Sequence, residues 1–275
     1  MGRVDIHTHL LPAVDDGPTD IEDTLEMARR AAADGTEVMV ATPHQRDVML
    51  SSSVERLRGI IKDVNSRLQA EEDRPQGRVP RVLLGMENHI EPDLPEWLED
   101  GRALPICQTR FVLSEPPFTA YSRYVDEILY RMQMMRYVPV IAHPERNVVL
   151  QHDTKKVRTL VERGMLIQVT AGSFLGEFGA EAQHAAESYL RHGLVHFIAS
   201  DTHRPTEKRT PELSPSFARV AEIAGDEHAR ALFEDNPRMM LEGTNPEREM
   251  AQARERVTAE LDSERRWWQF WRRSA

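Results

Sequence analysis

Six short apolar runs in this chain each finish in His, Glu or Asp, and that punctuation restricts the available folds more than any other feature. The runs are Val4-Asp5-Ile6-His7-Thr8-His9, Val38 to His44, Val82 to Glu87, Phe111 to Glu115, Val138 to His143, and Val195 to His203 with its Asp201-Thr202-His203 ending. With Asp16 they supply nine residues of metal-ligand type: His7, His9, Asp16, His44, Glu87, Glu115, His143, Asp201 and His203. Strand ends converge when parallel strands form a barrel, and catalytic groups then sit at the carboxyl ends of the strands. Five imidazoles and four carboxylates gathered there describe a polynuclear metal site.

Helical patterns fill the gaps between the runs. Thr19 is expected as an N-cap, with Glu22 three residues on completing a capping box. Ile21, Leu25, Ala28 and Ala32 then mark one helix face, and Val54, Leu57, Ile61, Val64 and Leu68 mark another. Arg74 to Gly77 reads as a loop. Further helices are expected around Val125 to Met135, Val157 to Val161 and Ala180 to Arg191, with Gly35, Gly164 and Gly193 punctuating helix-to-strand passages. Strand and helix in alternation through about 200 residues point to an α/β fold, a parallel sheet closed into a TIM-like barrel. No internal repeat suggests a solenoid.

The composition changes near Pro246, which divides the chain into a barrel over 1–245 and a charged helical extension over 246–275. The extension ends in Trp267, Trp268, Phe270 and Trp271 among Arg265, Arg266, Arg272 and Arg273. It reads either as a helix packing its aromatics on the barrel or a partner, or as a basic-aromatic anchor at a membrane surface. The net charge of −10 argues against general nucleic-acid binding, and the single cysteine, Cys107, excludes a disulfide framework. No apolar run nears the ~20 residues of a membrane span. With no signal peptide before the first strand, the expected location is the cytoplasm, peripheral at the inner membrane face if the tail anchors.

His7 and His9 lie two apart on a strand, so both imidazoles face one side; the same reasoning covers Asp201 and His203. Any one of the nine has an ordinary alternative, such as a turn histidine, a surface glutamate or a helix cap. Jointly those alternatives require nine accidents at strand ends. His89, His152, His184, His192 and His228 are expected in loops or helices, and His196 within a strand but facing away from the end position; none of them is assigned. Imidazole and carboxylate donors without sulfur suit Mn, Fe or Zn rather than a structural zinc site. Four ligand carboxylates against three divalent ions leave a positive surplus that favours a dianion, and a phosphate monoester fits. Arg146 and Arg209 are expected to grip its oxygens through forked hydrogen bonds. Asp5 shares the face of His7 and His9, as an orienting acid behind a ligand or as a buried structural one. Tyr121 and Tyr124 read as surface aromatics rather than as a platform for an aromatic substrate.

These motifs together resemble the polymerase and histidinol phosphatase (PHP) superfamily, and within it the bacterial capsular-polysaccharide tyrosine phosphatases, the CpsB/YwqE-like group. Asp5-Ile6-His7-Thr8-His9, Val14-Asp15-Asp16-Gly17, Ala142-His143-Pro144-Glu145-Arg146, Ala199-Ser200-Asp201-Thr202-His203 and Asp235-Asn236-Pro237 carry the likeness, over roughly residues 1 to 240. It implies a distorted (β/α)7 barrel with a trinuclear, often manganese, site. His7, His9, Glu87 and Asp201 would hold the first ion. Glu87 would bridge to a second, shared with Glu115 and His143, and Asp16, His44 and His203 would hold the third. Arg146 matches the arginine after the strand-end histidine; for the second arginine the register favours Arg209 over Lys208 or Arg204. The implied substrate is phosphotyrosine, typically on the tail of a membrane tyrosine kinase controlling polysaccharide export. A cysteine-dependent mechanism is excluded, because Leu113 occupies the arginine position of a Cys-x5-Arg motif begun at Cys107. The alternatives carried forward are a PHP phosphoesterase acting on histidinol phosphate or a nucleotide, and a metal-bearing regulatory or scaffold protein. An amidohydrolase is conceivable, but its barrel lysine has no strand-end candidate.

Overall fold

The computed structural model describes residues 2–72, 79–206 and 208–245. The loop expected at 74–77 and the extension from 246 with its aromatic end lie outside the described residues. The amino-terminal half runs β1 (Arg3–Thr8), α1 (Ile21–Ala33), β2 (Thr36–Ala41), α2 (Gln45–Ser51), α3 (Val54–Glu72), β3 (Arg81–Leu84), β4 (Asn88–His89) and α4 (Leu94–Asp100). The chain continues through β5 (Phe111–Glu115), α5 (Arg123–Met134), β6 (Val138–Ala142), α6 (Thr154–Glu162), β7 (Leu166–Thr170), α7 (Ala180–Arg191), β8 (Phe197–Ala199), α8 (Ser214–Ala224), α9 (Asp226–Arg230) and α10 (Asn236–Leu241).

Every strand pairing is parallel, in one sheet of order β1-β2-β3 and a second of order β4-β5-β6-β7-β8. The sheets approach at both junctions. Thr8 bridges Thr202, with His9 N–H donating to Thr202 O at 2.8 Å and Asp201 N–H to His7 O at 2.9 Å. His44 bridges Glu87 at the other junction, where Gln45 N–H donates to Glu87 O at 2.9 Å. Helix and strand alternate as expected except between β3 and β4, where no helix intervenes.

The amphipathic faces read from the sequence are the faces that pack. Helix α5 buries Val125, Ile128, Leu129 and Met132 against β5, β6 and β7, each worth about 1.5–3 kcal/mol if its side chain leaves water completely. A separate apolar cluster draws Val4, Ile6, Val40, Phe111, Leu113, Val140, Leu166 and Phe197 from strands of both sheets, with Met240 of α10. On β5 the period-two alternation carries that interior face onward from Leu113 to Glu115, whereas His44, three residues past β2, is placed by its bridge to Glu87. Because all strands run the same way, their carboxyl ends share one end of the molecule, and the donor residues gather there.

Two local expectations are corrected. Asp20 rather than Thr19 caps α1: its side chain accepts from Asp23 N–H at 3.0 Å, so a carboxylate one residue later takes the free N–H of the first turn. His89 belongs to β4, paired with Glu115 of β5, and not to a loop or helix. A two-residue strand leaves no periodicity to read.

Candidate metal centre

The site is assembled from strand ends, and two of its members sit on unusual backbone. His143 (φ 32°), directly after β6, and Asp201 (φ 54°), two residues after β8, both adopt left-handed conformations. That costs a non-glycine residue on the order of 1–2 kcal/mol, and such cost concentrates where function requires it. It also corrects the strand reading of Asp201-Thr202-His203: β8 ends at Ala199, and the turn, not the alternation of a strand, aims both side chains. His7 and His9 follow the simpler rule, although β1 itself stops at Thr8.

The structure brings the nine donor residues together at one end of the strands. His7 Nε2 and His9 Nε2 are 3.2 Å apart, and Asp201 Oδ1 lies 3.5 and 3.4 Å from them. Glu87 completes this set, with Oε1 3.4 Å from His7 and Oε2 3.3 Å from His9. Glu87 Oε1 also meets His143 Nε2 at 2.8 Å, and Glu115 Oε1 is 3.7 Å from the same nitrogen. Asp16 Oδ1 stands 3.1 Å from His203 Nε2 and 3.6 Å from His44 Nε2. Two donors each about 2.1 Å from one ion, at octahedral or tetrahedral angles, are themselves about 3.0–3.4 Å apart. Most of these separations fall at or near that spacing.

Proton bookkeeping makes the same point. His7 Nδ1 meets Gln168 Oε1 at 3.0 Å, and His9 Nδ1 meets Asp15 Oδ2 at 2.7 Å. His203 Nδ1 meets the Asp201 carbonyl at 2.8 Å. Each acceptor holds a proton on Nδ1, which leaves Nε2 as the atom that can face a cation. The Nε2 atoms of His7 and His9 face each other and two carboxylates, an arrangement that needs positive charge among them, supplied by protons or by a metal ion that displaces them. Buried His44 Nδ1, His89 Nδ1 and Glu115 Oε2 have no hydrogen-bond partner. The donor set therefore fits divalent cations.

The electrostatics follow. Burial alone would hold His9 neutral, but the hydrogen bonds it donates to Asp15, Asp201 and Glu87 raise its pKa well above the ordinary range. His44, partly desolvated but beside Glu87, rises to about 8. Burial opposes charge on Glu87 and Asp201, yet the imidazoles of His7 and its neighbours hold both carboxyls well below the usual range. A site that holds protons this firmly releases them on binding a cation.

A model of the family described as "Capsular polysaccharide synthesis, CpsB/CapC" matches residues 3–242. The chain belongs to the CpsB/CapC family. Among curated relatives, the tyrosine-protein phosphatase YwqE of Bacillus subtilis is 36% identical over 200 residues, 73% of this chain and 77% of YwqE. The tyrosine-protein phosphatase CpsB of Streptococcus pneumoniae is 29% identical over 250 residues, 86% and 98% of the two chains. A solved structure from work on YwqE and CpsB as "unique metal-dependent tyrosine phosphatases" superimposes with a TM-score of 0.79 at 32% identity, covering 88% of this chain and 95% of the other.

Around the donors of this CpsB/CapC chain stands a ring of supports, several unread in the sequence. Asp15 was quoted within a motif but given no role. It accepts from His9 Nδ1, from His44 N–H at 3.1 Å and from Gly17 N–H at 3.0 Å. Gln168 likewise had no role. Asp5, fully buried with its pKa pushed up to about 6, accepts from Ser200 N–H at 3.1 Å and from the Ser200 hydroxyl, tying β1 to the turn that carries Asp201. Glu145 accepts from Thr170 N–H at 2.9 Å and Ser173 Oγ at 2.7 Å, which holds the His143-to-Arg146 turn against β7.

Both arginines reach the site. Arg146 Nη1 pairs with Asp201 Oδ2, and Arg209 Nη1 donates to His203 Nε2 at 3.0 Å. Arg204 instead donates to the Gly17 carbonyl, which separates its role from that of Arg209. The Arg146 guanidinium lies 5.1 Å from the Phe118 ring and 4.3 Å from the Phe178 ring, and Phe118 stacks on His143 at 5.4 Å. These phenylalanines escaped sequence reading because nothing in their spacing marks them. Tyr121 is tied by its hydroxyl to Asp126 at 3.0 Å, and Tyr124 is exposed. Burial pushes the Cys107 thiol up to about 12, away from nucleophilic range.

Proposed function

We propose that this chain is a metal-dependent protein-tyrosine phosphatase serving capsular or exopolysaccharide synthesis, its substrate a phosphotyrosyl protein such as a bacterial tyrosine kinase tail. The observation that carries the reading is the set of nine donors at metal-ligand spacing, flanked by Arg146, Arg209 and exposed phenyl surface. The named relatives are tyrosine phosphatases of the same family. We read the frame as a distorted (β/α)7-type barrel and the chain as cytoplasmic, in keeping with its single cysteine. His7, His9, Glu87 and Asp201 would hold one ion, Glu87, Glu115 and His143 a second, and Asp16, His44 and His203 a third. Manganese is the ion that the family resemblance implies, and these mixed imidazole and carboxylate donors equally accept iron or zinc.

When bound, the ions supply a water ionised near neutral pH and neutralise phosphoryl oxygens. The chain's residues do the remainder. Four ligand carboxylates balance part of the cationic charge, and a dianionic phosphate monoester meets the surplus. Arg146 and Arg209 present forked N–H donors for its oxygens. Phe118, partly exposed and stacked on His143, offers an apolar face for the phenyl ring of the ester. Asp15 and Gln168 hold the ring tautomers that keep Nε2 of His9 and His7 available.

The test is phosphate release from a phosphotyrosine peptide, a phosphoserine peptide and histidinol phosphate, after chelation and again after Mn2+ is restored. Mn2+-dependent release confined largely to phosphotyrosine and insensitive to iodoacetamide is expected. Release only from histidinol phosphate, or inactivation by the thiol reagent, would refute the assignment.

A further inference from the structure

One histidine beside the nine donors has no place in the three-ion set. His89 follows Glu87 by two residues on β4, and the parallel pairing of β4 with β5 sets it directly beside Glu115. His89 Nδ1 lies 2.7 Å from Glu115 Oε2. At that distance a hydrogen bond is the ordinary expectation, yet neither atom makes one; both are buried and without a hydrogen-bond partner. The carboxylate oxygen therefore lies off the N–H direction of the ring. His44 Nδ1, also buried and unpartnered, faces the same region, 2.9 Å from Glu87 Oε2. The His44 and His89 ring centroids are 6.2 Å apart at an interplanar angle of 74°.

A buried polar atom without a partner costs about 1–3 kcal/mol, and here three lie together. Donors that are close but not aimed at each other are aimed at a common third point, which is how ligands stand around an ion. His44, His89 and Glu115 each offer a donor atom within 4.8 Å of the others. That span is one ion's reach: two donors on opposite sides of a cation at about 2.1–2.4 Å are no more than about 4.8 Å apart. Glu115 Oε1 turns toward His143 and Oε2 toward His89, so the two oxygens serve neighbouring positions.

We propose that His89 is a metal ligand, which with Glu115 and Nδ1 of His44 holds a further divalent cation on the flank of the three-ion centre; His44, whose Nε2 faces the third ion, then bridges the two as an imidazolate, both of its ring protons passing to solvent. The proposal rests on the metal-centre reading above. Nitrogen and carboxylate donors without sulfur define the class as Mn2+, Fe2+, Co2+ or Zn2+. His89 is partly reachable, its side chain 18% exposed, whereas Glu115 is sealed at 1%. An ion there is therefore entered from the His89 side.

The experiment uses the full chain, stripped by chelation, as wild type, His89→Ala and His89→Cys. Metal per chain is measured by plasma mass spectrometry after equilibration against graded free Mn2+. His89→Ala is expected to need at least about tenfold more free Mn2+ for its last ion, the scale of effects around metal sites, while its other ions load as in wild type and report an intact fold. His89→Cys loaded with Co2+ is expected to show a thiolate-to-cobalt charge-transfer band absent from wild type, whose only thiol, Cys107, lies away from the donors. Identical Mn2+ uptake by His89→Ala and wild type, or no such band in His89→Cys, overturns the proposal. Wild type that takes up no metal at all would instead sink the metal centre itself, so the two failures are distinguishable.

Discussion

Glu87 is the residue on which the donor set converges: its carboxylate lies 3.4 Å from His7, 3.3 Å from His9, 2.9 Å from His44 and 2.8 Å from His143. No other acid in the site reaches as many imidazoles within 3.5 Å. Glu87→Ala removes the proposed bridge between two ions, so activity and metal content should fall together, the former below detection. Arg209→Ala removes donors to the phosphoryl group and leaves the ligands in place. Charge-assisted hydrogen bonds are worth about 1.5–3 kcal/mol, which corresponds to a loss of about 10- to 150-fold in kcat/KM with metal content retained. Equal or reversed losses would dismiss the bridging role. Phe118 carries a separate expectation. Phe118→Ala should raise KM for phosphotyrosine peptides by about fivefold or more, the scale of an aromatic contact of about 1 kcal/mol, and leave KM for an aliphatic phosphate near its starting value. A uniform change for both substrates would show that the ring only props His143 and Arg146.

At the scale of elements, the turn between β1 and α1 does the work of a ligand-bearing strand without being one. A Cβ on Gly17 would stand 2.2 Å from the His9 carbonyl oxygen, backbone that cannot swing aside. Gly17→Ala is expected to destabilise the fold by about 1–3 kcal/mol, seen as a lower Tm. It should also weaken metal binding at the Asp16, His44 and His203 group, because Asp15 and Asp16 move with the turn. A Tm and metal affinity unchanged from wild type would show that the turn relaxes freely. Much at this scale was legible beforehand. Apolar faces of α1, α3 and α5 repeat with helical spacing, and Gly164 and Gly193 (φ 85° and 64°) end their helices before β7 and β8. The Asp20 cap was misread because Thr19 and Asp20 are both good caps, and chain entry, not composition, selects between them. The His143 and Asp201 turns were invisible because residue type does not disclose a left-handed φ.

At the scale of the molecule, the site couples metal to pH. In chelated protein, His44 has its pKa raised from 6.5 to about 8. The sign follows: a raised imidazole pKa adds stability that is complete below 6.5 and fades as pH rises through about 8. A shift of this size corresponds to about 2 kcal/mol. Metal binding must expel that proton and the one on His9. Apparent Mn2+ affinity should therefore rise with pH below about 8, by up to about tenfold per unit for each proton released. Calorimetric titrations in buffers of different ionisation heat would register the released protons. Affinity that is flat from pH 6.5 to 8.5 would contradict this coupling.

What the sequence by itself determined is the chemistry and its order along the chain. Eight donors at run ends with Asp16 beside them, helices of readable face between the runs, and a thiol without its arginine follow from residue type and period alone. Only the tertiary structure decided which donors stand close together, which atoms hold the tautomers, and that His89 lies beside Glu115 while Tyr121 is tied to Asp126. The reason is physical. Periodicity records the face on which a residue lies, a local property of backbone geometry. The pairing of β4 with β5, the left-handed turns at His143 and Asp201, and the contacts of Asp15, Gln168 and Phe118 arise when distant segments pack. No spacing along one chain encodes the distance between two others.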